Sequence, residues 1–151
     1  MTQRLARRVN SSVRHQMKRE AASFLNLDLE LNASTGLSRL AKHLEDSAFI
    51  LYSGPVKGAY RLCAEPLIRG NLSKSARACT AHFLDVLEAL PKDLAALFKH
   101  CKSRVFDYGF DCGLESKPLS VNLPPAHLAR IAHLCVQVRI TVYPHRPAAD
   151  A

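Results

Sequence analysis

The sequence predicts one α+β domain in which a layer of helices covers one face of a mainly antiparallel sheet. Residues 24–32 are the clearest strand, because residues 25–32 alternate apolar and polar side chains, the two-residue period of a strand with one buried face. Four later segments, 49–52, 60–65, 105–112 and 136–143, are also strand-like, and apolar residues recur at helical spacing between them. The length of 151 residues fits a single domain with its own core.

The first strand and the helix after it are the clearest pair of elements. Ser34 or Thr35 is in position to cap the helix. The strand carries the alternating residues Leu25, Leu27, Leu29 and Leu31, and the helix carries Leu37, Leu40, Ala41 and Leu44 on one face. Both elements therefore present one apolar side to a common core.

Residues 49–52 and 60–65 predict a β-hairpin. Gly54, Pro55 and Gly58 lie between the two strands, which indicates a turn longer than the minimal two residues. Residues 66–75 are rich in Pro, Gly, Asn and Ser and predict a loop.

The second half of the chain predicts two helices, a strand, a helix and a strand. A helix over 75–90 has Cys79, Phe83, Val86, Leu87 and Leu90 on its apolar face, and Pro91 ends it or opens a next one with Leu94, Leu97, Phe98 and Cys101. The strand at 105–112 puts Phe106, Tyr108, Phe110 and Cys112 on one side. A short strand is expected at 119–123, followed by a helix from Pro124 with core positions Leu128, Ile131, Ala132 and Cys135. The last strand, 136–143, points Val136, Val138, Ile140 and Val142 inward.

The order β-α-β-β-α-(α)-β-α-β matches a ferredoxin-like split βαβ arrangement with an additional C-terminal αβ unit. Each strand has one apolar face, so helices are expected on one side of the sheet only. The predicted domain spans residues 24–144, between a basic helical arm at 1–23 and a tail at 145–151.

In that strand order, several carboxylates come together on the wet side of the sheet. They are Asp28, Glu30, Glu65, Asp107 and Asp111. Arg61 is the one cation expected near them, with Arg139 further out on the last strand. Like charges on neighbouring strands are destabilising, a cost that is sometimes tolerated for binding. The face is therefore a candidate surface for a basic protein partner; the alternative is a solvated face with dispersed acids.

The arm at 1–23 holds much of the net charge of +8. Its cations are Arg4, Arg7, Arg8, Arg14, Lys18 and Arg19, and an apolar residue recurs every fourth position. Such an arm suits nucleic-acid phosphates, an anionic membrane or an organelle transit signal. The alternative is a solvated helix that packs its stripe on the domain, or simply a mobile terminus.

Composition and motifs narrow the function classes. No apolar run is long enough for a membrane span, and no signal-peptide core follows the basic start, which predicts a cytoplasmic protein. The five scattered cysteines predict reduced core thiols rather than disulfides or a zinc site. Phosphate-binding glycine loops and common catalytic motifs are missing, so no enzyme, metal or cofactor is predicted. A metal-dependent enzyme on the acidic face is a third, weaker hypothesis.

Three stretches resemble a bacterial domain family of uncharacterised function. They are the opening amphipathic strand, RVFDYGFDCG at 104–113 and LPPAHLARIAHLCVQVRITVYP at 123–144. Several members of that family lie beside polymorphic toxins and are regarded as immunity proteins. The resemblance implies a ferredoxin-like domain that binds another protein; it gives no functional residues and does not include the arm. The first hypothesis is therefore a non-enzymatic immunity or inhibitor protein, and the alternative is a nucleic-acid-associated protein that uses the arm.

Overall fold

The structure is a computed structural model and describes residues 21–146. The predicted basic arm at 1–23 lies outside the described residues up to position 20, and so do residues 147–151 of the tail. The nucleic-acid hypothesis, which depends on Arg4 to Arg19, stays a prediction from sequence.

Residues 21–146 form five strands, four α-helices and one short 3-10 helix at Gly70–Lys74. In chain order they are β1 (Ser23–Ala33), α1 (Ser38–Leu44), β2 (Ala48–Val56), β3 (Ala59–Pro66), α2 (Ala76–Glu88), α3 (Lys92–Lys99), β4 (Ser103–Asp111), α4 (Pro125–His133) and β5 (Gln137–Tyr143). The Ser75 hydroxyl caps α2 by accepting a hydrogen bond from the Ala78 N–H at 3.1 Å.

The strands form one open sheet in the order β2-β3-β1-β4-β5. All neighbours are antiparallel except β4 and β5, which run parallel and are joined through α4. The α+β class is confirmed. Within residues 21–146, no helix is both long and apolar enough to cross a membrane.

The core lies between the sheet and the helices, because every second residue of each central strand points towards the helices. Leu27, Leu29 and Leu31 of β1 are fully buried, whereas Asp28 and Glu30 between them are half-buried on the opposite face. The helices contribute Leu40, Leu44, Phe83, Leu84, Leu87, Leu94, Phe98 and Ile131 to the same core. The rings of Phe83 and Phe106 stack across the layer boundary with centroids 5.8 Å apart.

The hairpin turn is shorter than predicted. β2 continues through Gly54 and Pro55, and only Lys57 and Gly58 connect it to β3. Both turn residues have positive φ, 45° and 79°, the conformation of a two-residue type I′ turn whose twist matches the strands. The glycine and proline therefore belong to an edge strand rather than to a loop.

β1 departs from strict alternation at its start. Its register with β4 shifts between Phe24 and Asn26, so Leu25 has no partner there and is exposed, against the prediction. The Phe24 ring instead packs edge-on against Phe110, with centroids 5.6 Å apart.

The prediction was wrong for most of the C-terminal αβ unit. Val138 and Ile140 pair with the buried Phe106 and Tyr108 of β4, so the alternate residues Val138, Ile140 and Val142 lie on the helix side of the sheet, yet they are exposed. On α4, Ile131 is buried, whereas Leu128 and Ala132 are exposed, and so is Cys135 in the turn after the helix. The helix layer ends at α4 and does not extend over β5, so apolar spacing there does not mean burial. Residues 119–123 are not a strand.

All five cysteines are free thiols, but they divide into two groups. Cys63, Cys79 and Cys101 are buried. Cys112 and Cys135 are exposed, because the first follows the end of β4 and the second occupies the tight turn after α4 with φ of 52°. The expectation of five core thiols therefore holds for three.

Candidate functional site: the open face of the sheet

The open face of the sheet is the side turned away from the helices. It gathers Asp28, Glu30, Glu65 and Asp107 on the three adjacent strands β3, β1 and β4. Asp28 stands directly opposite Asp107, and Glu30 stands opposite Cys63 of β3. Asp28 and Asp107 therefore lie about 5 Å apart at Cβ. Arg139 links Glu30 to Asp107, and Asn26 links Glu65 to Asp28, so the four carboxylates form one cluster.

Two arginines bind one side of this cluster. Arg139 of β5 donates from Nη1 to Glu30 Oε2 at 2.8 Å and to Asp107 Oδ2 at 3.1 Å. Arg61 donates from Nη2 to Glu30 Oε1 at 3.2 Å, and the Thr141 hydroxyl donates to Asp107 Oδ1 at 2.7 Å. The side chains of Glu30 and Asp107 are only 15% and 13% exposed, so these bonds hold largely buried carboxylates in fixed positions.

Asn26 connects the other two carboxylates. Its Nδ2 donates to Asp28 Oδ1 at 3.0 Å and to Glu65 Oε1 at 2.8 Å. A neutral amide satisfies acceptors without cancelling charge, so this half of the cluster keeps its negative charge whenever both groups are ionised.

The environment raises the pKa of Asp28 to about 7. Burial is the largest cause, and the charges of Glu65, Asp107 and Glu30 add to it. The open face therefore gains about one negative charge as pH rises through neutrality.

The structure separates Asp111 from the other four predicted site residues. It lies four positions beyond Asp107 on β4, about 13 Å along the strand. Its carboxylate accepts the Gly113 N–H at 2.7 Å and contacts His145 Nδ1 at 3.1 Å, and these partners lower its pKa. Asp111 thus orders the chain after β4 rather than joining the cluster.

The charge of the open face differs in sign from that of the described chain. The four clustered carboxylates face two guanidinium groups, which leaves two formal negative charges. Residues 21–146 as a whole hold fifteen Lys and Arg against eleven Asp and Glu. An acidic patch on an otherwise basic chain attracts a basic partner to this face and favours one orientation of approach.

Exposed aromatic side chains border the cluster on the same face. Phe49 of β2 stands opposite Glu65, Tyr52 stands opposite Cys63, and Tyr143 of β5 stands opposite Asp111. All three are exposed. Aromatic residues around a charged centre are frequent at protein interfaces, since they bury large areas while losing few rotamers.

Sequence reasoning misses three members of this network as site residues. It places Arg139 further out, yet the side chain reaches two carboxylates; Asn26 and Thr141 give no signal beyond being polar strand positions. The clustered residues are linked to one another by hydrogen bonds. In the part of the chain that the structure describes, no group of three His, Cys, Asp or Glu is placed to hold a metal ion.

Comparisons with known proteins add no relationship to this picture. No family model matches the sequence, and no curated protein or solved structure matches it. The resemblance to the bacterial family stays a prediction.

Gly109 offers a way to disturb the cluster without touching a charge. It lies beside Asn26 in the sheet, and a Cβ at 109 would clash with Asn26 Oδ1. We expect Gly109→Ala to turn the amide away from Asp28 and Glu65 and to lower the free energy of unfolding by about 1 kcal/mol at pH 8. Chemical denaturation measures the change.

Gly36→Ala is the matched control, because a Cβ there comes no closer than 4.0 Å to Tyr60. Equal stabilities of the two variants would contradict the role assigned to Asn26.

Proposed function

We propose that this protein is a non-enzymatic protein-binding module, an immunity or inhibitor protein in a bacterial conflict system, whose open face docks on a basic partner. A basic surface such as the active-site cleft of a nuclease toxin has the complementary charge. We also propose a ferredoxin-like split βαβ core, which the antiparallel order β2-β3-β1-β4 supports.

The observation that carries the proposal is the pre-arranged acidic cluster on a basic body. Glu30 and Asp107 are held by Arg139, and Asp28 and Glu65 by Asn26, so little side-chain order has to be created on binding. Complementary charge of this kind mainly raises the association rate and suppresses wrong partners.

The position of the cluster supports a role in binding rather than a contribution to the stability of the fold. Burial and the repulsion between carboxylates on three neighbouring strands both raise the pKa of Asp28. A sheet surface under no demand for binding would be more stable with neutral residues at these positions.

The test neutralises the cluster without changing its shape. The double variant Glu30→Gln with Glu65→Gln removes both net negative charges of the open face. Tagged wild-type and variant proteins are used to capture binding proteins from a bacterial lysate, and each captured protein is purified and titrated at about 50 and about 300 mM salt. We expect a basic protein that the wild type binds at least about tenfold more tightly than the variant, with slower association at high salt.

The matched control is Asp46→Asn with Glu115→Gln, which removes two negative charges from residues outside the strands. The control should bind as the wild type does. If every captured protein binds the variant with neutral residues at 30 and 65 as tightly as the wild type, the open face is not the docking surface.

A further inference from the structure

The two edges of the sheet differ in how well they are guarded against other strands. β2 contains Pro55 and has an irregular register between Ile50 and Tyr52. Proline and bulges are features by which natural proteins block edge-to-edge pairing. β5, at the other edge, contains neither proline nor glycine, and it pairs with β4 in unbroken register over all seven residues.

The charged side chain of β5 does not guard its edge. Arg139 is the strand's one charged residue, and its guanidinium is bound to Glu30 and Asp107 within the sheet. Among residues 21–146, no strand lies beyond β5, so its outer backbone groups are free to pair.

On the helix side of the sheet, the apolar side chains of β5 form a row that no described helix covers. Val138, Ile140 and Val142 are 47–60% exposed. With Leu119 and Val121 they line a groove of about 380 Å³ that reaches Tyr108. An exposed apolar surface beside a free strand edge is typical of an interaction site.

We propose that the occupant of this edge is a second copy of the chain, paired antiparallel through β5 about a two-fold axis at Ile140 and perpendicular to the sheet. Residue 140 then faces its own copy, 138 faces 142, 139 faces 141 and 137 faces 143. This register uses the whole strand and keeps the two helix layers on the same side.

The sequence of β5 is complementary to itself in this register. Val138 meets Val142 and Ile140 meets Ile140, so the two apolar rows stand side by side and contact each other on the same face of the sheet. Arg139 meets the uncharged Thr141, so like charges do not stand opposite. A register centred on Arg139 would oppose two guanidinium groups, and one centred on Thr141 would pair only five residues within β5.

The pairing would make a ten-stranded sheet with both acidic clusters on one side. It is independent of the proposed function, because the edge and the helix-side groove do not use the carboxylates of the open face.

The first test is the mass of the full chain by sedimentation equilibrium from about 1 to about 200 μM. We expect a dimer, at twice 16.7 kDa, to accumulate with concentration. Ile140→Lys places a charge opposite its own copy and should raise the dissociation constant at least about tenfold. Leu51→Lys, on exposed β2, is the matched control and should dimerise as the wild type does.

The second test reads the register directly. In a background with Cys112→Ser and Cys135→Ser, Ile140→Cys should form an intermolecular disulfide under mild oxidation, since opposite residues have Cα atoms about 5 Å apart. Val138→Cys should not, because the two copies of position 138 would be about 13 Å apart.

A wild type that stays monomeric at the highest concentration overturns the proposal and leaves residues 1–20 as the candidate cover for the groove. The proposal also fails if Ile140→Lys leaves the dimer intact, if Leu51→Lys weakens it equally, or if Val138→Cys cross-links as readily as Ile140→Cys.

Discussion

Replacing Asp28 by asparagine is expected to stabilise the protein at pH 8 by about 2 kcal/mol. The pKa of Asp28 is raised from an ordinary 3.8 to about 7 in the folded chain. At pH 8 the folded state holds an ionised carboxylate among other carboxylates, whereas the unfolded chain exposes it to water. A shift of this size corresponds to about 4 kcal/mol, which solvent screening of the half-buried side chain reduces to about half.

The sign of the pH dependence follows from proton binding. Between pH 4 and 7 the folded state keeps a proton on Asp28 that the unfolded state has lost. The contribution of Asp28 to stability therefore falls as pH rises through this range and is constant above it. The amide introduced by Asp28→Asn would keep the hydrogen bond from Asn26 and carry no titrating proton, so the difference in stability between variant and wild type should grow from pH 4 to 7.

Urea denaturation of both proteins at pH 4, 5, 6, 7 and 8 measures this difference. Asp46→Asn is the control for the loss of one carboxylate at an exposed position, and its difference from wild type should change little with pH. A difference between Asp28→Asn and wild type that is independent of pH would show that Asp28 has no raised pKa.

A destabilising carboxylate at the centre of the open face is informative about function. An asparagine at this position would avoid the expected cost and make the same contact with Asn26. Such costs are common where binding requires a particular charge. The prediction on stability and the proposed docking surface therefore concern the same residue but are tested by different measurements.

Much of the sheet could be predicted because period-two alternation records which face is buried. Asp28 and Glu30 lie on the face of β1 opposite the buried leucines, as predicted, but they are partly buried rather than fully solvated. The strand order brings Asp107 beside Asp28. The pattern could not show how far the helix layer extends. Alternation in β5 is as regular as in β1, yet Val138 and Ile140 are exposed because α4 leaves the edge uncovered.

Polar contacts between residues far apart in the sequence could not be predicted for a different reason. Arg139 and Glu30 are 109 positions apart in sequence, and their contact depends on the register of three strands. Arg104 is a second example: its Nε donates to the carbonyl of Cys135, 31 positions later in the sequence, at 3.3 Å. A side chain of this length reaches across neighbouring elements, so its partners are fixed by tertiary structure and not by local spacing.

The buried pair Thr80 and Tyr108 is expected to give an asymmetric double-mutant cycle. The Thr80 hydroxyl donates to the Ala76 carbonyl at 2.7 Å, so the Tyr108 hydroxyl, also at 2.7 Å, donates to Thr80 Oγ1. Both side chains are almost fully buried. Thr80→Val would leave the Tyr108 hydroxyl without an acceptor and should lower the free energy of unfolding by about 2–3 kcal/mol, whereas Tyr108→Phe leaves Thr80 bonded to Ala76 and should cost about 1 kcal/mol.

The combination of both changes should be less harmful than Thr80→Val alone. In the double variant neither substituted side chain has a buried polar atom to satisfy, and the shapes are nearly unchanged. Denaturation of the two single variants and the double variant gives the coupling free energy directly. Additive losses would mean that the two hydroxyls are not hydrogen-bonded to each other, and a larger loss for Tyr108→Phe than for Thr80→Val would reverse the assigned donor.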